Sequence, residues 1–341
     1  MFTYLIHRLL IMIPTLLVIS LVTFVIIQLP PGDYLSNQIQ ELKAQGEASA
    51  VGKIEFLHKQ YGLDKPMIEQ YAIWLGVWPG ENGFSGLLQG DLGWSFEFDL
   101  PVSEVVGDRL LLSFVLNFST ILFTWVVAFP IGVYAATHQY SWGDHGLTLL
   151  GYLGIATPNF LLALVLLYFA NVRFGLEIGG LMDAKYLDQP WSWGKFTSIL
   201  AHLWIPVIVI GTSGTAGMIR RLRANLLDEL QKQYVVTGRA KGLRPVRLLV
   251  KYPVRMALNP FVADIGSILP SVVSGSAIVS VVLSLPTSGP MLLRALASQD
   301  QYLAGSFLMF LAFLTVVGVF LSDVLLAVLD PRIRLTGAPT K

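Results

Sequence analysis

Residues 234–260, which read YVVTGRAKGLRPVRLLVKYPVRMALNP, contain the side chains of this chain that are best suited to contact another macromolecule. The stretch holds six of the 23 Lys and Arg residues of the chain and no Asp or Glu. Basic side chains donate charge-assisted hydrogen bonds to carboxylates, and this stretch has no acidic residue to pair with them internally. The pattern therefore indicates a docking surface rather than a catalytic centre.

Two short helices are expected to position these basic side chains. Asn225 is a candidate N-cap, and the acidic residues that follow it favour a helix start. Gly242 can adopt a positive φ and end that helix. Pro245 then opens a second helix, which is predicted to continue through Arg247 to Arg255. The sequence thus predicts two helices that meet at a glycine.

The residues around that glycine are small or basic. Gly238, Ala240 and Gly242 would let the backbone of another protein approach closely. Arg239 and Lys241 would present positive charge to an acidic cleft. The alternative interpretation is a basic connector that lies against lipid headgroups.

The composition indicates a membrane protein. The chain has 341 residues, of which 54% are hydrophobic and 13% are charged, whereas soluble domains carry about 25% charged residues. The net charge of +1 gives no general affinity for nucleic acid. The absence of Cys excludes disulfides, cysteine nucleophiles and Cys-ligated metal sites.

Six apolar windows are long enough to cross a bilayer, which needs about 20 residues in a helix. Because the apolar runs are continuous rather than alternating, the fold class is an all-α polytopic membrane protein with six transmembrane helices. Pro158 and Pro206 are expected to kink their helices. The first window is too long for a signal peptide and is interpreted as a retained helix. The windows are 9–29, 111–136, 147–170, 199–219, 261–283 and 305–329.

The charges separate between the two sides of the predicted membrane. The N-terminus, the 220–255 loop and the C-terminal tail hold 14 of the 23 Lys and Arg residues. Because Lys and Arg are enriched in cytoplasmic loops, both termini and this loop are predicted to be cytoplasmic. Arg220, Arg221 and Arg223 would then anchor the topology and contact lipid headgroups. The predicted cytoplasmic turn at 138–145 carries no Lys or Arg.

The predicted domain organisation has three parts. Residues 1–29 form the N-terminus and the first span, and residues 30–109 form an extracytoplasmic segment with helices near 54–61 and 67–74. Residues 110–341 form a core with spans two to six and a cytoplasmic loop at 220–257.

The basic stretch resembles the cytoplasmic loop of permease subunits of ABC importers, in the version of the peptide/nickel group. The motif of that group reads approximately Tyr-x-x-Thr-Ala-Arg-Ala-Lys-Gly-Leu. Gly238 and Met256 depart from its usual Ala and Asn, and Val236 stands where the general motif has Glu. The matching residues are Tyr234, Thr237, Arg239, Ala240, Lys241, Gly242, Leu243, Arg255, Ala257, Leu258 and Pro260.

The resemblance extends in order along nearly the whole chain. Each short match is weak alone, and together they are specific. They are Leu-Pro-Pro-Gly-Asp at 29–33, Tyr-Gly-Leu-Asp-Lys-Pro at 61–66, Gly-Asp-Leu-Gly-Trp-Ser at 90–95, Pro-Val at 101–102, Ser-Leu-Pro-x-x-Gly at 284–289 and Asp-Pro-Arg-Ile-Arg at 330–334.

The resemblance implies the type I importer fold and a set of partners. Two permease subunits would form the pore, two cytoplasmic ATPases would drive it, and an extracytoplasmic binding protein would deliver the solute. The helix before Gly242 would insert into a cleft of a cytoplasmic ATPase. The resemblance also implies that the chain lies in the plasma membrane of a bacterium or archaeon. The residues implied in coupling are Tyr234, Thr237, Gly238, Arg239, Ala240, Lys241, Gly242 and Leu243.

The cargo of the group includes peptides, nickel chelates, opines and oligosaccharides. Residues 30–34, Pro-Pro-Gly-Asp-Tyr, look like a branch that is linked to oligosaccharides. The chain has no P-loop motif, so ATP and Mg²⁺ are expected on the ATPase subunits and no cofactor or metal on this chain. It also lacks His-Glu-x-x-His and a nucleophile elbow, which argues against an intramembrane enzyme.

Two alternatives stay open at this point. A secondary transporter or channel would place ionisable residues at mid-membrane, for which Asp264 and Asp323 are the candidates. Both lie towards the ends of their windows, so the alternative is a role as helix-packing or end-capping partners. Gly211, Gly214 and Gly217 form a stripe of small residues in the fourth window. Such a stripe either packs against another helix or lines a translocation path.

Overall fold

The computed structural model describes residues 2–30, 34–35, 38, 52, 62–80, 83–174, 179–186, 189–264, 268, 270–271, 273 and 277–329. These residues are mostly helical and belong to two compact units. The N-terminal unit comprises Phe2–Leu111 and Thr287–Val317. The core unit comprises Leu112–Pro286 and Gly318–Lys341, together with Met1.

The described helices are, in chain order, α1 (Phe2–Gln28), α2 (Met67–Leu75), α3 (Val102–Thr137), α4 (Trp142–Ala156), α5 (Asn159–Phe174), α6 (Trp193–Leu230), α7 (Gln233–Ala240), α8 (Pro245–Lys251), α9 (Pro253–Ala257), α10 (Asn259–Ala263), α11 (Ala277–Val282), α12 (Ser288–Ala297) and α13 (Gln301–Leu329). A short antiparallel hairpin pairs β1 (Trp94–Ser95) with β2 (Leu100–Pro101). Single 3-10 turns occur at Leu87–Gln89 and Ala184–Tyr186.

Within the described residues, four helices are long and apolar enough to cross a membrane. They are α1, α3, α6 and α13, and they correspond to the predicted windows 9–29, 111–136, 199–219 and 305–329. Helix α3 begins at Val102, inside the segment that was predicted to be extracytoplasmic. The predicted window 261–283 lies partly outside the described residues.

The third predicted window, 147–170, is not one kinked helix. It consists of α4 and α5, which are bent by 98° and together form a fifth candidate span. The break falls at Thr157 and Pro158, where Thr157 is extended with φ −84° and ψ 118°. A proline disfavours the helical region for the residue before it, which explains the extended Thr157. Pro206, by contrast, does not interrupt α6.

The N-terminal unit is held by contacts among α1, α2, the hairpin, α12 and the start of α13. Phe24 packs edge-on against Tyr71, whose hydroxyl lies 2.7 Å from that of Ser20. Asp300 is fully buried and accepts hydrogen bonds from the Ser95 hydroxyl and the Glu97 amide. Helix α2 confirms the predicted helix near 67–74, whereas the one near 54–61 lies outside the described residues.

The core unit has two clusters of buried apolar side chains. The first joins α3, α5, α6 and α11 through residues such as Leu116, Ala163 and Val279. The second joins α3, α6, α9 and α10 through Leu222, Leu226 and Ala257, among others. The second cluster therefore fixes the end of the basic stretch against the long helices.

Candidate functional site

The predicted helix start at Asn225 is wrong, because α6 continues without a break to Leu230. Leu222 and Leu226 are fully buried at helical spacing on one side of α6, and their burial outweighs the capping preference of Asn225. Asn225 lies inside the helix, and its side-chain nitrogen is buried without a hydrogen-bond partner. The helix that carries the motif is α7, which begins at Gln233.

Gly242 forms the turn between α7 and α8, as the sequence predicts. Its φ is +74°, its amide donates to the Arg239 carbonyl at 3.0 Å, and the Leu243 amide donates to the Gly238 carbonyl at 3.3 Å. These two bonds define a Schellman motif at the end of α7. A Cβ added to Gly242 would meet no atom within 4 Å. A side chain at residue 242 would therefore project into open space.

Gly238 was predicted to let a second protein approach the backbone, but in the structure it contacts α8 of the same chain. It is buried, and an added Cβ would lie 2.5 Å from Leu248 Cδ1 on α8. The absence of a side chain at Gly238 thus lets α7 and α8 pack directly on each other. Ala240 and Gly242 are exposed, so these two small residues remain accessible.

We expect Gly238→Val to separate α7 from α8, because overpacking costs about 1–3 kcal/mol and Leu248 is buried. Limited proteolysis of the membrane-inserted chain should then cut the loop faster. Adding Leu248→Ala should slow the cleavage again, since it removes the clashing atom. Ala240→Val, at an exposed position of α7, is the matched control and should leave cleavage unchanged. Equal cleavage with and without Leu248→Ala would contradict the contact.

Tyr234 fastens the start of α7 to the end of α6. Its hydroxyl donates a hydrogen bond to the Glu229 carboxylate, and its ring lies 6.2 Å from that of Tyr252. Burial and the hydrogen bond to Glu229 raise the pKa of Tyr234 above its ordinary value. The phenol therefore stays protonated as a donor at physiological pH, and Tyr234 supports the loop from inside.

The predicted second helix ends earlier than expected. Helix α8 stops at Lys251, and Arg255 lies on the separate helix α9. Tyr252, between them, has φ −120° and ψ −76°, outside the helical region. Pro253 causes this break because it lacks an amide hydrogen and restricts the residue before it.

The exposed side of α7 and α8 combines basic and apolar side chains, and we call it the loop surface. Val236, Val246 and Val250 are 55%, 74% and 61% exposed. Thr237 is also exposed, with its hydroxyl bonded to the Gln233 carbonyl at 2.9 Å. The basic members of the loop surface are Arg239, Lys241, Arg244, Arg247 and Lys251, all of them exposed. Exposed valines on the same two-helix loop as exposed basic side chains are typical of a surface that another protein covers.

Two arginines on α6 form ion pairs, where the sequence suggested only headgroup contacts. Arg223 donates to both oxygens of Asp144, at 2.8 and 2.7 Å, and the Asp144 side chain is 1% exposed. Arg221 lies 2.6 Å from Asp264, with both side chains about half exposed. Asp264, a candidate mid-membrane residue in the sequence, is thus the partner of an arginine.

These pairs escaped the reasoning from sequence, although one signal pointed to them. Asp144 lies in a predicted turn without Lys or Arg, and Arg223 lies just past a predicted span, close to Arg220 and Arg221. Opposite charges at neighbouring span ends are expected to pair in a low-dielectric environment. His202 is buried, and its Nδ1 lies 2.8 Å from the Ser198 carbonyl oxygen.

Comparisons with known proteins give a consistent result. Residues 128–335 match the family described as "Binding-protein-dependent transport system inner membrane component", and residues 1–117 match its N-terminal counterpart. The oligopeptide transport system permease protein AppB of Bacillus subtilis is 32% identical over 336 residues, which cover 98% of this chain and all of AppB. The dipeptide transport system permease protein DppB of Escherichia coli K12 is 30% identical over 350 residues, covering 98% and 99% of the two chains. A putative peptide permease of Brucella ovis is 32% identical over 338 residues, covering 98% of this chain and all of the relative.

Proposed function

This chain belongs to the family of binding-protein-dependent transport system inner membrane components, the permease subunits of ABC importers, and we propose that it forms half of the pore of an ATP-driven peptide importer. The relatives AppB and DppB carry oligopeptide and dipeptide transport in their names. Oligosaccharides are the second candidate cargo, on the sequence at 30–34 alone. The proposed assembly contains a second permease subunit, two ATPases that bind ATP and Mg²⁺, and an extracytoplasmic binding protein.

The observation that carries this proposal is the loop surface. It has exposed valines and five exposed cations, and residues 231–257 contain no Asp or Glu. Tyr234 fixes α7 to α6 through its hydrogen bond to Glu229, and Gly238, which lacks a side chain, lets α7 pack directly on α8. The second buried cluster then ties α9 and α10 to α3 and α6. A displacement of the loop surface would therefore be transmitted to the long helices α3 and α6 through these packed contacts.

The proposed topology has six spans with both termini in the cytoplasm. The predicted cytoplasmic turn at 138–145 has no Lys or Arg to retain it on that side of the membrane. The Arg223–Asp144 pair supports the proposal, because it holds this turn beside the basic end of α6. Both would lie on the cytoplasmic side, and the segment 30–109 would lie outside.

Reversing the charge of the loop surface should detach the ATPase. We expect Arg239→Glu combined with Lys241→Glu to weaken its retention on the purified chain at least about tenfold, since like charges facing each other at an interface cost several kcal/mol. The matched control, Arg239→Lys with Lys241→Arg, keeps both charges and should retain the ATPase. Quantitative mass spectrometry of the material that co-purifies from native membranes measures the difference.

Reconstitution distinguishes the proposal from a secondary transporter. In proteoliposomes, the complex with its ATPase and binding protein should accumulate a peptide such as trialanine only when ATP is present. A chain that purifies alone and transports without ATP would overturn the proposal in favour of a secondary transporter or channel. Uptake of an oligosaccharide in place of peptide would retain the importer and correct its cargo.

A further inference from the structure

An open cleft of about 780 Å³ lies in the core unit between α3, α6 and the three residues Phe261, Asp264 and Ile268. It differs from a lipid-facing groove because hydroxyl groups and charges line it. Its polar lining comes from Thr124, Ser213, Arg220, Arg221 and Asp264. Thr124, Ser213 and the Arg221–Asp264 pair already have partners within the protein. Arg220 forms no ion pair among the described residues, and hydrocarbon would leave its charge unsolvated, so the lining favours an aqueous occupant.

The three glycines of the small-residue stripe on α6 differ in what surrounds them. A Cβ on Gly211 would lie 2.7 Å from Phe123, so Gly211 serves helix packing. A Cβ on Gly214 would meet only Thr124, at 3.6 Å and beyond, and one on Gly217 would meet nothing within 4 Å. Gly214 and Gly217 therefore widen the cleft rather than bring two helices together.

The charges in the cleft leave an excess cation. Arg221 is paired with Asp264 at 2.6 Å, and its guanidinium lies 4.7 Å from the centre of the Phe261 ring. These two contacts fix Arg221 and neutralise Asp264. Arg220 is exposed, lies in the same lining and forms no ion pair among the described residues. The charged residues that line the cleft therefore sum to one net positive charge, on Arg220. Gly217 lies about one helical turn from Arg220 on α6.

We propose that this cleft is a section of the substrate path and that Arg220 binds an anionic group of the substrate, such as the C-terminal carboxylate of a peptide. The proposal rests on the proposed function and names the part of the cargo that the pore recognises. A guanidinium is suited to this role because it stays charged and donates bidentate hydrogen bonds to a carboxylate.

The absence of Cys from the chain makes the cleft directly measurable. In the complex, with its other subunits made cysteine-free, Gly217→Cys should react faster with an anionic methanethiosulfonate than with a cationic one. A single charge about 6 Å away should shift that rate ratio roughly five- to tenfold. Adding Arg220→Gln should lower the ratio by this factor, and adding Asp264→Asn should raise it. Two changes of opposite sign are not expected from a structural disturbance.

Leu122→Cys is the matched control for reactivity. Leu122 lies on α3, is 55% exposed and does not line the cleft. Its thiol should react slowly with both reagents, and its modification should leave uptake unchanged. Modification of Gly217→Cys should block peptide uptake while the ATPase stays bound. Unchanged peptide uptake after complete modification of Gly217→Cys would overturn the assignment of the cleft to the substrate path.

Uptake by the reconstituted importer tests the carboxylate itself. The ratio of trialanine uptake to uptake of its C-terminal amide should fall about fivefold or more in Arg220→Gln. The same binding protein is used for both preparations, so its own preference cancels. An unchanged ratio in Arg220→Gln would overturn the proposal. If neither peptide accumulates in the unmodified importer, the proposed function fails, and the thiol rates still decide the charge of the cleft.

Discussion

Gly242→Asp is expected to leave the chain inserted in the membrane and to abolish ATP-driven uptake. The side chain would project from the loop surface into open space, since a Cβ at residue 242 meets no atom within 4 Å. It would place a carboxylate among Arg239, Lys241 and Arg244, on the side that an acidic partner is proposed to cover. There it would face the carboxylates of that partner and compete with them for the three cations, and like charges facing each other at an interface cost several kcal/mol, or a loss of more than about 30-fold in productive coupling. Peptide uptake and ATP hydrolysis are both measured on the reconstituted complex, and the loss of uptake is compared with the hydrolysis that remains.

Asparagine at the same position separates charge from backbone strain. The φ of Gly242 is +74°, a region that Asn and Asp enter more readily than other residues with a side chain. Gly242→Asn should therefore retain much more uptake than Gly242→Asp. Gly242→Ala reports the strain of a Cβ at this φ, which is about 1–2 kcal/mol. Normal uptake with aspartate, or equal losses with Asn and Asp, would contradict the docking role of this turn.

The turn at Gly242 was predictable because its determinants are local. A glycine after a run of helical residues, followed by Leu and a proline opening the next helix, specifies a left-handed residue and a new helix start. The structure confirms both, with φ +74° at Gly242 and α8 starting at Pro245. Four of the six apolar windows match single helices long enough to cross a membrane, and they were predictable because crossing requires length and composition rather than particular contacts.

The course of α6 shows where local preference fails. Asn225 has the residue type of an N-cap, but the burial of Leu222 and Leu226 continues the helix past it. Burial depends on what packs against α6, namely α3, α9 and α10, which the sequence of this segment does not reveal. The bend of 98° between α4 and α5 also depends on contacts that are distant in sequence. Pro158 predicts that the helix is interrupted, whereas the angle of the bend is set by the packing of both helices on α6.

The roles of the loop residues were predictable only in part. The motif placed Tyr234 and Gly238 in the same group as Arg239 and Lys241. The structure separates them, because Tyr234 and Gly238 contact Glu229 and Leu248 inside the loop, whereas Arg239 and Lys241 are exposed. Spacing alone could not reveal this division, because it depends on where α8 folds back against α7.

The ion pair between Arg223 and Asp144 joins residues 79 positions apart, and neither belongs to the motif. It links the turn at 138–141 to α6, and only two residues separate the end of α6 from the start of α7. Asp144 also accepts a hydrogen bond from the Tyr140 amide at 3.0 Å. This ion pair would make α6 and the turn at 138–141 move together when a bound partner displaces the loop surface.

Arg223→Gln should therefore be strongly destabilising, and it should reduce ATP-driven uptake as well. It leaves the Asp144 carboxylate, which is 1% exposed, without its bidentate partner, a loss that costs about 3–5 kcal/mol at buried pairs. Arg221→Gln is the comparison for stability, because its partner Asp264 is about half exposed and such pairs contribute about 0–1 kcal/mol. Adding Asp144→Asn to Arg223→Gln should recover most of the loss, since no charge is then buried. Thermal unfolding of the purified complex measures all four chains, and equal midpoints for the two single arginine variants would show that the buried pair does not hold this joint.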